Sequence, residues 1–233
     1  MRTLRTSLSA AALALTASVA GAQTVPLTAT GSNTTGGLDN AWQVQCTQLV
    51  GSGSAACGSA ALFTSAVVVT ASPAGWTSVP TAGGARYISV DASGSAGGAV
   101  GETPRYEYTF RTTFDLTGLN PAGTTLTLTN FWLDNYWVGY RLNGGALLAG
   151  NMSPSPLPPN GENWTHPFTL TIDEGFQAGV NTLELVITGN GATDGILVEG
   201  MITSTPEPAT LVLVASGFAV VGGVARPRRR REA

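Results

Sequence analysis

Between Tyr106 and Asp115 the chain reads YEYTFRTTFD, and this alternation constrains the fold more than any other stretch. Tyr106, Tyr108, Phe110, Thr112 and Phe114 fall on one parity, and Glu107, Thr109, Arg111 and Thr113 on the other. A period of two puts the larger residues on one face of a strand and the polar ones on the opposite face, whereas a helix would scatter both sets. The same period recurs in Phe168, Leu170 and Ile172, and in Leu183, Leu185 and Ile187. Further strands are expected at Trp42–Val50, Leu62–Thr70, Arg86–Val90, Thr124–Phe131, Trp137–Leu142 and Ile196–Thr203. Turn chemistry separates them: Asn120-Pro121-Ala122-Gly123, Asn143-Gly144, the SPSPLPPNGEN stretch and Gly189-Asn190-Gly191. With 30 Gly and 13 Pro the chain favours turns over helices, and one helical turn is expected around Asp173–Gln177. Many short strands without βαβ alternation imply an all-β fold, an antiparallel β-sandwich.

Charge narrows the function. There is no lysine, and between Gln23 and Ser204 four arginines (Arg86, Arg105, Arg111, Arg141) face twelve carboxylates, a net −8 that the overall −3 conceals. Phosphate recognition needs a basic footprint, so nucleic acid is excluded as a partner.

The N-terminus reads as an export signal over residues 1–22. Arg2 and Arg5 precede the apolar stretch AAALALTASVA, and Ala20-Gly21-Ala22 supplies the small residues that signal peptidase requires, so cleavage is expected after Ala22. In an oxidising compartment the two cysteines of the chain, Cys46 and Cys57, are expected to bridge. Two cysteines and one distant histidine, His166, are too few to hold zinc, and neither a metal nor a cofactor is expected.

The C-terminus is built of three parts in order. Leu211 to Ala225 is a charge-free, mainly apolar run of fifteen residues, spanning about 22 Å as a helix against a hydrocarbon core of ~30 Å. Arg226, Arg228, Arg229, Arg230 and Arg231 follow, a cluster that the positive-inside bias holds in the cytoplasm. Pro206-Glu207-Pro208 precedes the run. Together these parts resemble the PEP-CTERM sorting signal of exopolysaccharide-producing Gram-negative bacteria. The resemblance implies a transient transmembrane helix in the inner membrane, recognition by exosortase near the motif, and release or transfer of the mature protein. Pro227, which splits the basic cluster, departs from the pattern. The organisation expected is a signal helix at 1–22, a β-sandwich domain at 23–204 and a sorting signal at 205–233.

A second resemblance covers roughly Leu38 to Thr203. Asp39-Asn40 with Trp42, Arg86-Tyr87-Ile88-Ser89, YTFRTTFDLTG, Asp134-Asn135, Leu142-Asn143-Gly144 and FQAGVNTLELVI look like the secreted domain common in PEP-CTERM proteins. That domain is similar to the galactose-binding-like jelly roll, which implies saccharide association without fixing a ligand. The segment holding Cys46 and Cys57 departs from that pattern.

Catalytic groups are scarce. His166 lies in NWTHPF without a nucleophile elbow, and a structural or surface role fits it better. Asp173 and Glu174 are sequence neighbours that point apart, an acidic turn and not a catalytic pair. No enzyme activity is expected. The stretch Phe131-Trp132-Leu133-Asp134-Asn135-Tyr136-Trp137 combines stacking faces with hydrogen-bonding groups, which makes Trp132, Asp134, Asn135, Tyr136 and Trp137 a candidate glycan site. Core packing of Trp132 and Trp137 around an Asp134-Asn135 turn is the competing reading. The sequence therefore points to an exported surface or matrix protein. It associates with extracellular polysaccharide or serves a purely structural role, with a secreted hydrolase as third choice.

Overall fold

The computed structural model describes residues 22–51, 57, 62–70, 76, 84–97, 105–156 and 163–206. Twelve strands, β1 to β12 in chain order, make one antiparallel sheet: Gln23–Leu27, Thr34–Thr35, Leu38–Gln48, Thr64–Val68, Ile88–Ser89, Tyr106–Asp115, Leu119–Asp134, Tyr136–Leu142, Asn151–Ser153, Phe168–Ile172, Val180–Gly189 and Gly195–Pro206. The expected signal helix and the C-terminal segment 207–233 lie outside the described residues. Among the described residues no helix is long and apolar enough to cross a membrane.

The sheet order is β8-β11-β6-β3-β4-β5-β12-β7-β10-β9, with β1 added on β12 and β2 on β3. It curls so that β8-β11-β6-β3 and β12-β7-β10-β9 contribute to one core. Tyr108, Phe110, Leu183 and Leu185 of the first half share a buried cluster with Leu126, Leu128, Phe131, Leu170 and Ile202 of the second. The period-two reading holds for the inward set, since Tyr106, Tyr108, Phe110, Thr112 and Phe114 are all buried, as are Leu183, Leu185 and Ile187; on the other parity Thr109 and Val186 are buried as well. Each such fully buried large apolar side chain contributes roughly 1.5–3 kcal/mol.

Three local expectations are corrected. Asn120–Gly123 is not a turn between strands but part of β7, which begins at Leu119. The Asn120 side chain accepts from Ala122 N (3.1 Å), and its carbonyl accepts from Thr124 Oγ1 (2.8 Å), so turn-like side-chain bonding is accommodated inside a strand. The stretch Asp173–Gln177 is irregular, and the single short helix among the described residues is a 3-10 turn at Asn163–Thr165. The strand expected to start at Ile196 instead starts at Gly195 and runs on through Pro206, past the domain boundary drawn at 204. Its register with β7 shifts between Glu199 and Gly200. A side chain at Gly200 would meet Thr127 O at 2.8 Å, so glycine suits this irregularity.

Candidate functional site

The strand directions divide the loops between two ends of the sheet. β7 runs from Leu119 to Asp134 and β12 returns from Gly195 to Pro206, so Asp134–Asn135 lies beside the Asn190–Asp194 turn at one end. The peptide bond between Asp134 and Asn135 is cis, and β8 departs at Tyr136.

Asp194 is the hub of that end. It is fully buried, and Oδ2 accepts from the Tyr108 hydroxyl (2.7 Å) and Gly191 N (2.6 Å). Oδ1 accepts from Asn135 Nδ2 (2.5 Å) and Asn190 N (3.2 Å). The Asp194 backbone carbonyl takes the Ser89 hydroxyl (2.6 Å). Asn163 Nδ2 in turn donates to the Asn135 carbonyl at 2.9 Å. A buried carboxylate survives in a core when several donors surround it, and this one has four.

Asp134 is less well satisfied. Oδ2 accepts from Trp76 Nε1 (2.5 Å), whose ring stacks on Tyr87 with centroids 4.1 Å apart. Oδ1 is buried without a hydrogen-bond partner; the Thr193 hydroxyl acts on the carboxyl, but outside hydrogen-bonding geometry. Burial pushes the Asp134 carboxyl up to about 7; the Trp76 bond opposes this and the Asp194 charge adds to it. Burial also raises Asp194, against the pull of its four donors. The Tyr108 and Tyr87 phenols are raised by burial first, then by the charges of Asp194 and Asp134 respectively.

The five residues expected to meet a glycan are brought together, but three face inward. Trp132 (8% exposed) packs with Trp76, Ala85, Tyr87 and Leu197 in a satellite cluster, and Asp134 and Asn135 are 4% and 6% exposed. Asp134 Oδ2 and Asn135 Nδ2 are taken by Trp76 and Asp194, and Asp134 Oδ1 and Trp132 Nε1 are buried without a partner, so burial keeps all three from a saccharide. Tyr136 and Trp137 stay partly exposed. Trp137 meets Phe131 edge-on at 5.3 Å and donates through Nε1 to Ala149 O (2.5 Å), so it closes one margin of the core. Sequence reasoning missed Trp76, Tyr87, Tyr108 and Asp194. The one usable signal was an aspartate just after the Gly189-Asn190-Gly191 turn, in a stretch otherwise free of charge.

Other motif residues fasten the backbone. Asp39 accepts from Gly31 N, Ala41 N and Trp42 N (2.6, 2.8 and 3.1 Å). Asn143, at φ 54°, donates to Gly175 O and Asn181 Oδ1 and accepts from Thr182 N. Cys46 and Cys57 form a disulfide, and both are buried.

His166 pairs with the Thr165 hydroxyl (3.0 Å) and the Phe168 ring, not with a carboxylate. Asp173 and Glu174 are exposed beyond the opposite end of β10. A shallow polar depression lined by Asn40, Gln43, Arg111 and Thr113 holds an arginine already bound by Gln43 Oε1 (2.7 Å) and seated over Phe63. Among the described residues, no group of three or more His, Cys, Asp or Glu is placed to hold a metal ion. No known protein family, curated protein or solved structure matches the chain.

Proposed function

We propose that the chain is an exported surface or matrix protein, a non-catalytic β-domain carried between two processed targeting segments. One observation carries this reading. The strands run from Gln23, the first residue after the expected signal cleavage, to Pro206, the first residue of the Pro-Glu-Pro motif. The described sheet therefore lies between the two segments read as targeting signals and takes in Pro206 of the motif. Glu207, Pro208 and the arginine cluster lie outside the described residues, and exosortase is the partner that the tail's resemblance implies.

The order in which strands are laid down supports a jelly roll of the galactose-binding-like kind. β6, β8 and β11 belong to one half of the sheet and β7, β9, β10 and β12 to the other, so from β6 to β12 the chain crosses the core at every step but the β9–β10 hairpin. Burial of Trp132, Asp134 and Asn135 favours a structural role over a dedicated saccharide site. A second reading, weak saccharide contact, rests on the exposed parts of Tyr136 and Trp137.

Mass spectrometry of the protein recovered from the culture medium tests the proposal. A mature N-terminus at Gln23 and loss of the Pro206-Glu207-Pro208 region onward are expected. An intact Arg231 tail on extracellular protein overturns it.

A further inference from the structure

Strand β1 pairs antiparallel with β12, with Gln23 opposite Ser204 and Leu27 opposite Gly200. Followed backward from Gln23 and forward from Ser204, the chain leaves the sheet in the same direction from neighbouring strands, which sit ~5 Å apart. Pro206 is still paired with Leu119. Four residues, 207–210, separate Pro206 from the apolar run that starts at Leu211, a reach of at most about 14 Å. On the other side Gly21 and Ala22 alone separate Gln23 from the apolar stretch ending at Ala20.

The geometry points to a membrane-facing end of the domain, formed by Gln23, Ser204–Pro206, the Leu116–Gly118 turn and the Asp173–Gly179 loop. This inference rests on the proposed insertion of the C-terminal run into a bilayer. With that run in the membrane, the tether is too short for the domain to turn over, and the Asp134–Asp194 end is held away from the lipid. β12 alone, at ~3.3 Å per residue, separates the two ends by roughly 35–40 Å. The near end also carries exposed Asp115, Asp173 and Glu174 with no basic residue among them, so an anionic bilayer does not adsorb it. The tether sets the orientation. The Asp134–Asp194 end, with the partly exposed Tyr136, then points away from the lipid.

The test uses the full chain in phosphatidylcholine vesicles containing a rhodamine-labelled lipid. Ala178→Cys, at an exposed position, places a donor dye at the near end, and Ala92→Cys, also exposed, places one at the far end. Both are labelled without reductant so that the Cys46–Cys57 bond stays closed. Transfer to the membrane dye is expected to be several-fold more efficient from position 178 than from position 92. Equal or reversed transfer from a chain that resists carbonate extraction overturns the orientation and leaves the anchoring reading standing. A chain extracted by carbonate overturns both.

Discussion

Asn135 Nδ2 donates to Asp194 Oδ1 across 2.5 Å, joining the β7–β8 junction to the β11–β12 turn over 59 residues of sequence. The bond makes a backbone corner and a buried charge depend on one another. Removing the donor leaves part of a fully buried carboxylate unpaired, and hydrogen bonds to charged groups contribute about 1.5–3 kcal/mol. Asn135→Ala is therefore expected to lower unfolding free energy by about 2–3 kcal/mol in urea titrations. Tyr108→Phe, which deletes a second donor to the same group (2.7 Å), is expected to cost a similar amount. Because both act on Asp194, the double variant should depart from additivity.

The strands were legible because their signal is local. Phe110 alternates with Thr109 and Arg111, and Leu183 with Thr182 and Glu184, and that period survives any tertiary context. The Asp134–Asp194 end was not legible, since its parts come from positions 76, 87, 108, 134 and 194 and no sequence period links them. Trp132 illustrates the difficulty. An aromatic beside Asp-Asn reads equally as a stacking platform or as a core residue, and only the partner segments around Trp76 and Tyr87 decide which. Pro121 misled for the opposite reason: turn residues were absorbed into β7, where β12 supplies pairing on either side of an irregular register.

Trp132 and Tyr136 separate packing from ligand contact. Trp132 is buried in its satellite cluster, so Trp132→Ala is expected to cost about 3–5 kcal/mol, the range for truncated core aromatics. Tyr136 is partly exposed, and Tyr136→Ala should stay within about 1 kcal/mol of the parent. Retention on an immobilised neutral polysaccharide column checks the second reading: it is lost in Tyr136→Ala if that surface binds, and unchanged if the domain is purely structural.

The Cys46–Cys57 bond closes a loop with a sequence separation of 11. On the chain-entropy relation such a loop contributes about 3 kcal/mol, mainly by restricting the unfolded chain. The Cys46→Ala, Cys57→Ala double variant is expected to unfold at correspondingly lower urea concentration, and free-thiol labelling of the native parent should find neither cysteine. Full labelling of both would show that the bond does not form in the native protein.

Asp134 gives the domain a pH dependence of definite sign. Its carboxyl is raised from 3.8 to about 7 by burial, while the same group in the unfolded chain titrates near 4. The folded state therefore holds a proton that the unfolded state has already released, and stability falls as pH rises between about 4 and 7, by up to about 1.4 kcal/mol per unit. The contribution is complete below pH 4 and gone above the folded value. Asp194, raised in the same direction, adds to the trend; Tyr87 and Tyr108, both pushed upward, stay neutral throughout this window. Asp134→Asn keeps the shape and accepts the Trp76 bond without a titrating proton. Urea unfolding of the parent at pH 5 and at pH 7.5 should show higher stability at the acid value, and in Asp134→Asn the difference should shrink markedly. A parent more stable at pH 7.5 would mean that Asp134 is ionised in the folded protein, with Oδ1 satisfied by a donor strong enough to outweigh its burial.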